Sequence, residues 1–200
     1  MLLIKNGHIK TMAGSEFHNG AILIGDDGKI LAVGEVSAPE NCTLVDAQGR
    51  LVTPGLVEAH CHIGLHNEGV GWEGMDYNEG ADPITPQMRA IDSIYPLDEA
   101  FEHARKGGVT TCCTGPGSAN VLGGTFVAIK TAGKRVDDMI VRDPIAMKCA
   151  FGENPKRFYG QQAKKAPKTR MAPPPSCGRP CSRRRTTWRK RTGARSPNST

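Results

Sequence analysis

A run of nine residues ends in two histidines one residue apart, and this run constrains the fold more than any other feature. Residues 54–62 read Pro-Gly-Leu-Val-Glu-Ala-His-Cys-His. The apolar stretch predicts a β-strand, and residues two apart in a strand point to the same face. His60 and His62 can therefore present imidazole nitrogens to one metal ion while Cys61 points elsewhere. Imidazole binds zinc, iron, nickel and related metals, so the sequence predicts half of a metal site.

Patterns upstream indicate a small β-rich segment before this strand. Residues 2–7, Leu-Leu-Ile-Lys-Asn-Gly, predict an opening strand. Within residues 20–34, Asp27-Gly28 lies between two apolar runs and predicts the turn of a hairpin. Residues 45–53 then lead through Pro54-Gly55 into the histidine strand.

This combination of strands, Pro-Gly turn and His-x-His ending resembles the start of the amidohydrolase superfamily barrel. The resemblance implies an α/β fold, namely the N-terminal part of a (β/α)8 TIM-like barrel preceded by strands of a small β-sandwich. It implies sandwich strands over residues 1–53, the first part of the barrel over 54–160, and a basic tail over 161–200. Within the superfamily, residues 60–65, 107–111 and 115–120 are most similar to imidazolonepropionase-like amidohydrolases.

The resemblance also implies a metal-dependent hydrolase acting on non-peptide carbon–nitrogen bonds, in amides or cyclic amides, of a small-molecule substrate. The expected cofactor is a divalent metal ion, zinc first, with iron or manganese as alternatives. Members of the family add two histidines and a catalytic aspartate from later strands, but this chain has no histidine after His103. Some members use a carboxylated lysine or a glutamate on a middle strand, for which Lys148 and Glu153 are the local candidates. The catalytic residues are otherwise unknown, and we expect the 200-residue chain by itself to be inactive.

The glycine-rich, acidic stretch 64–82 follows the two histidines. In a barrel it would be the first loop at the carboxyl ends of the strands, where active sites of that fold lie. His66 is its best candidate for contacting substrate, because it follows the metal strand closely. For its other polar and aromatic residues a solvated loop is the preferred explanation, and they include Asn67, Glu68, Trp72, Glu73, Asp76 and Glu79.

Further along, one helix and two strands are predicted. Residues 96–106 predict a helix, with acids in the first turn, bases in the last, and Gly107-Gly108 after it. Residues 109–114 predict the second barrel strand, which completes one βα repeat, and residues 145–151 predict a buried strand. Residues 136–141 fit a helix or a strand. The expected buried face of the helix consists of Leu97, Ala100, Phe101 and Ala104.

Charge divides the chain into two parts. All 20 acidic residues lie before residue 161, whereas 12 of the 26 lysines and arginines lie after it. A segment with this composition cannot bury a core and is predicted to be disordered. An alternative function follows, in which the tail binds nucleic acid through arginine clusters and a stacking Trp188. Cys177 and Cys181 lack the partners of a zinc site.

The tail also fits a shifted reading frame. With permitted codons, residues 173–191 can be encoded so that the neighbouring frame specifies an amphipathic helix, as expected for the next helix of a barrel. We therefore hypothesise a one-base shift near codon 172 of a longer amidohydrolase gene, which we prefer to the nucleic-acid function.

Composition narrows the class of protein. No apolar run approaches the length of a membrane span, and no secretory signal pattern opens the chain, so the sequence predicts a cytoplasmic protein with no membrane partner. The odd count of 7 cysteines indicates free thiols rather than a disulfide framework. An isolated part of a barrel leaves strand edges unpaired, so homo-oligomers or poor solubility are expected.

Overall fold

A computed structural model describes residues 1–172 of the chain. The described residues form two compact units, one over residues 1–55 and one that begins at Leu56. Each unit has its own sheet. Among residues 1–172, no helix combines the length and the apolar character needed to cross a membrane.

The first unit is a five-stranded sheet. Its strands are β1 (Leu2–Lys10), β2 (Glu16–Ile24), β3 (Ile30–Gly34), β4 (Thr43–Asp46) and β5 (Leu51–Val52). Their order is β3-β2-β1-β4, with β5 also pairing with β1. The predicted hairpin joins β2 to β3, and Gly28 adopts the positive φ of 75° that this turn requires. Leu3, Ile9 and Ala21 are its buried apolar side chains.

The second unit contains a four-stranded sheet in the order β6-β7-β8-β9. The strands are β6 (Leu56–Cys61), β7 (Val109–Thr114), β8 (Leu122–Lys130) and β9 (Ile140–Cys149). Helix α1 (Glu99–Lys106) precedes β7, α2 (Val136–Met139) precedes β9, and α3 (Glu153–Pro155) continues into a π-helix over Lys156–Gln162. Two 3₁₀ turns, Gly71–Gly74 and Ala90–Asp92, lie between β6 and α1. The core joins α1, α2 and β8 through Leu65, Ala90, Ile94, Phe101, Val127, Ile129 and Met139.

The sheet agrees with the predicted α/β class but departs from a succession of βα repeats. Strands β6 and β7 are parallel and flank α1, as predicted for one repeat. Strand β8 then returns antiparallel to β7, and β9 is antiparallel to β8. The cause is the connection from Thr114 to Leu122, which is shorter than the crossover of about a dozen residues that a parallel return needs. The chain therefore forms no further βα repeat between β7 and β8, and the barrel itself stays a prediction.

Other boundaries also differ from prediction. Residues 136–141 split into α2 and the start of β9. The predicted buried strand over 145–151 is the second half of β9, and most of its side chains are exposed because β9 is an edge strand. The predicted boundary at residue 160 falls inside the π-helix. The tail from residue 173 on, with its predicted disorder, nucleic-acid contacts and shifted frame, lies outside the described residues.

Helix α1 begins later than predicted because Asp98 caps it. The Asp98 carboxylate accepts a hydrogen bond from the Ala100 amide at 3.2 Å, so Leu97 lies outside the helix and is 60% exposed. The predicted burial of Leu97 is therefore wrong, whereas Phe101 is buried as predicted. The same carboxylate accepts a bond from the Glu68 amide at 3.0 Å. Asp98 thus ties the helix to the loop that follows the metal strand.

Replacing Asp98 with alanine is expected to destabilise the second unit by about 2 kcal/mol, because two backbone amides lose their acceptor at once. Urea unfolding of the full chain measures this loss. Asp98→Asn keeps a side-chain oxygen and is expected to retain most of the stability. Equal losses in the two variants would show that the capping bonds contribute little.

Candidate metal centre

The structure places the two predicted metal histidines side by side at the end of β6. His60 is the penultimate residue of the strand and His62 follows its last residue. Their ring centroids are 5.6 Å apart and the ring planes are nearly perpendicular, at 81°. Cys61 between them points away, and its thiol lies 3.7 Å from the Cys113 carbonyl oxygen on β7. Side-chain alternation along β6 therefore places His60 and His62 on one face and Cys61 on the other, as the sequence predicts.

His62 is held in a fixed orientation. Its Nδ1 lies 2.6 Å from the carbonyl oxygen of Gly115, in the loop after β7. A carbonyl only accepts, so Nδ1 carries the proton and Nε2 keeps its lone pair. Burial lowers the pKa of His62, which favours the neutral ring. Neutral imidazole is the form that binds metal.

Lys148 is the third polar group at this position. Although β9 is an edge strand, Lys148 is only 8% exposed, and its Nζ lies 3.4 Å from Nε2 of His60. Burial lowers the pKa of its ammonium group. Its partner across the ladder is Gly124 of β8. Of the two candidates named from sequence, the structure therefore brings Lys148 to the histidines.

Glu153 is not part of this cluster. It begins α3, is exposed, and pairs with Lys156 at 3.1 Å. Lys148 and Glu153 are close in sequence, but β9 ends at Cys149 and the chain turns before Glu153.

An aromatic stack connects His62 to the following loop. The Tyr77 ring is stacked on His62 with centroids 5.5 Å apart, and on His66 at 5.3 Å. Phe126 of β8 lies against His60 at 5.2 Å. Sequence position points to His66 but not to Tyr77 or Phe126. Tyr77 offers a weak signal as an aromatic residue in a polar loop, whereas Phe126 follows a glycine-rich segment and gives none.

Two of the other loop candidates, Trp72 and Glu68, have different surroundings. Trp72 is 81% exposed. Glu68 instead pairs with His103 of α1, with Oε2 and Nδ1 2.9 Å apart. For these residues the solvated-loop interpretation fits the structure better than substrate contact.

Two open clefts lie beside the cluster. One, of about 280 Å³, is lined by His60, Phe126 and Lys148 together with neighbouring residues of β9. The other, of about 380 Å³, is lined by His62, Tyr77, Asn78, Gly117, Arg157 and Gln162, among others. The second cleft has the polar, aromatic and cationic groups that orient a small polar molecule.

Comparison with known proteins identifies the family. The structure matches a solved amidohydrolase from Thermotoga maritima over 100% of this chain, with 37% sequence identity and a TM-score of 0.82. The chain belongs to the amidohydrolase superfamily. It corresponds to an N-terminal portion of such proteins and covers 53% of the Thermotoga amidohydrolase.

Curated amidohydrolase relatives are similar over shorter stretches. The amidohydrolase tasK of Hapsidospora irregularis is 40% identical over 145 residues, which are 66% of this chain and 15% of that protein. The 5'-deoxyadenosine deaminase of Methanococcoides burtonii is 39% identical over 66 residues, or 32% of this chain and 15% of that enzyme. The imidazolonepropionase of Rhizobium rhizogenes is 39% identical over 56 residues, or 26% of this chain and 14% of that enzyme. No family model matches the chain.

Proposed function

We propose that this chain carries the metal-binding part of a metal-dependent hydrolase that acts on amide or cyclic amide carbon–nitrogen bonds of small molecules. One observation carries the proposal: a buried lysine amine lies 3.4 Å from the imidazole of His60, beside His62, at the end of one strand. An ordinary buried lysine is expected to pair with a carboxylate. The only side-chain hydrogen-bond partner found for this amine within residues 1–172 is a histidine.

The donor set fits a divalent metal ion of the zinc type. His60 and His62 supply two imidazoles, and the Gly115 carbonyl orients His62 in the way that outer groups orient metal ligands. Two imidazoles are short of the three protein ligands of a catalytic zinc site. An amine converted to an anionic oxygen ligand would supply the third.

Carboxylation of Lys148 performs that conversion. The Nζ lone pair attacks the carbon of CO₂, a nitrogen–carbon bond forms, and the electrons of one carbon–oxygen π bond move onto oxygen. The nitrogen then loses a proton to water, which leaves a carbamate anion. Lys148 is sheltered and adjoins His60, so the carbamate oxygens would lie beside the imidazoles. His60, His62 and carboxylated Lys148 would then hold the ion.

When bound, a divalent ion lowers the pKa of its water and polarises the scissile carbonyl. The chain's own residues supply the surroundings. Tyr77, stacked on His62, gives a flat apolar wall for a planar amide or ring. Arg157 and Asn78 line the same cleft and would orient polar groups of the substrate. Together they favour a small, planar, polar substrate.

We propose further that the β6–α1–β7 repeat belongs to a (β/α)8 barrel, as in amidohydrolases with the expected fold. The chain spans about half of the solved relative, and no histidine follows His103. We therefore expect no amidase or deaminase turnover from the 200-residue chain assayed alone. Measurable turnover by the unsubstituted chain would contradict the expectation of inactivity. If His60→Gln then abolished that turnover, the result would still support the metal site.

A carbamate experiment tests the lysine. In ¹³C-labelled bicarbonate with zinc, the full chain is expected to show a carbamate resonance that Lys148→Met removes, with zinc affinity reduced at least about tenfold. Lys130→Met is the matched control, because Lys130 lies on adjacent β8 but is exposed and bonds Thr111 at 3.1 Å. A zinc affinity that Lys148→Met leaves unchanged would exclude Lys148 as a ligand.

A further inference from the structure

A second group of metal-binding side chains lies in the first unit, on the hairpin of β1 and β2. Among residues 1–172, His8, Glu16 and His18 form the one set of three or more such residues whose ligand atoms all lie within 4.8 Å of one another. None of these residues stands out in the sequence, because His8 is separated from the other two by a turn. The pairing of the strands brings them together.

A β-bulge creates the cluster. Ile9 pairs with Phe17 and Gly7 with Gly20, so the single residue His8 opposes both His18 and Asn19. Asn19 adopts a left-handed φ of 57°, which accommodates the extra residue. The two histidine rings consequently stack across the strands, with centroids 4.4 Å apart and an interplanar angle of 25°.

Both imidazoles direct the same atom toward one carboxylate. Glu16 lies two residues before His18 and so shares its face of β2. His8 Nε2 contacts Glu16 Oε1 directly, and His18 Nε2 lies 3.9 Å from the same oxygen. Two donors bound tetrahedrally at zinc distances are about 3.4 Å apart, and the two rings must turn out of their stack for both nitrogens to face one ion.

We propose that His8, Glu16 and His18 form a metal site for a divalent ion of the zinc type. Two imidazoles and one carboxylate are a zinc donor set, and three protein ligands leave a position for water. The ion would replace the proton between His8 and Glu16. Lys10 lies 3.6 Å from the Glu16 carboxylate, but its long, half-exposed side chain can turn into solvent. The bound ion would link β1 to β2 beside the bulge and stabilise the folded unit.

The test uses the full chain with His60→Gln and His62→Gln, so that the proposed centre in the second unit cannot contribute. The ring nitrogens of ¹⁵N-labelled histidine are followed by NMR during titration with zinc chloride. We expect the His8 and His18 signals to shift together and saturate, and the melting temperature to rise. His103 is the internal control, because it pairs with Glu68 at 2.9 Å but belongs to no set of three ligands within residues 1–172.

Glu16→Gln is the decisive variant, since it keeps the shape of the side chain and removes its charge. It is expected to lower the zinc affinity reported by the His8 and His18 signals at least about tenfold and to remove the rise in melting temperature. Backbone spectra without zinc verify that the variant folds, and His18→Ala provides a second test with Glu16 intact. The proposal is overturned if His8 and His18 respond only at zinc concentrations that also shift His103, or if Glu16→Gln and His18→Ala bind zinc unchanged.

Discussion

Zinc affinity at the centre in the second unit is expected to fall by about a hundredfold or more when His60 is replaced by glutamine. Loss of groups that merely orient metal ligands costs about 10- to 100-fold, and loss of a ligand should cost at least as much. His60 is exposed at the edge of the sheet, and glutamine keeps a side-chain oxygen that can accept from the Lys148 amine, so the free energy of unfolding should fall by about 1 kcal/mol or less. The effect on zinc should therefore not reflect loss of fold. Isothermal titration of the full chain with zinc measures it.

His62→Gln is expected to lower both the zinc affinity and the stability of the second unit. It removes the second imidazole and also the hydrogen bond to Gly115, so zinc affinity should fall while stability decreases by about 1 kcal/mol. His66→Gln is the matched control, because His66 belongs to the same aromatic stack through its own contact with Tyr77. If His60→Gln and His66→Gln lower the zinc affinity equally, His60 is not a ligand. These titrations, and the zinc titration of Lys148→Met, are made in a Glu16→Gln background, which removes the proposed site in the first unit.

The pairing of His60 with His62 could be predicted because it depends on one strand. Alternation along a strand is a local rule, and it applies whatever β6 packs against. The cap of α1 was also present in the sequence, since Asp98 is a strong N-cap residue, but the acids and proline around it favoured an earlier start. Local sequence signals thus predict that a strand or helix is present more accurately than they predict the residue at which it begins.

The remainder of the site depends on contacts between distant residues. Lys148 reaches His60 across 88 positions of sequence, and no spacing rule relates the two. Phe126 and Tyr77 contact the histidines only because β8 follows β7 and the loop folds over His62. The antiparallel return of β8 is not predictable from local pattern, because Gly123 and Gly124 at its start disfavour a strand. The His8 cluster is not predictable either, since it depends on a bulge that forms only when the strands pair.

The start of β8, at Gly124, is also a position where the second unit should be sensitive to substitution. Gly124 has a φ of 108°, a conformation that side-chain-bearing residues rarely adopt, and it pairs with Lys148 across the ladder. A Cβ added there would lie 2.4 Å from the carbonyl oxygen of Met88, which is backbone and already accepts a hydrogen bond from Thr125 at 2.8 Å. Neither partner can move without breaking that bond or shifting β8.

Gly124→Ala is therefore expected to destabilise the second unit by about 3 kcal/mol or more, because strain in the backbone adds to overpacking against Met88. Urea unfolding of the full chain measures the change. Gly107→Ala is the matched control, since Gly107 has an ordinary φ of −80° with a ψ of 1° and an added Cβ would come no closer than 3.4 Å to another atom. Because Gly124 sets the position of Lys148 in the ladder, Gly124→Ala should weaken zinc binding even under conditions where the chain stays folded. If the two alanine variants unfold at the same urea concentration, the close approach of Gly124 to Met88 does not limit the fold, and Lys148 is positioned by other contacts.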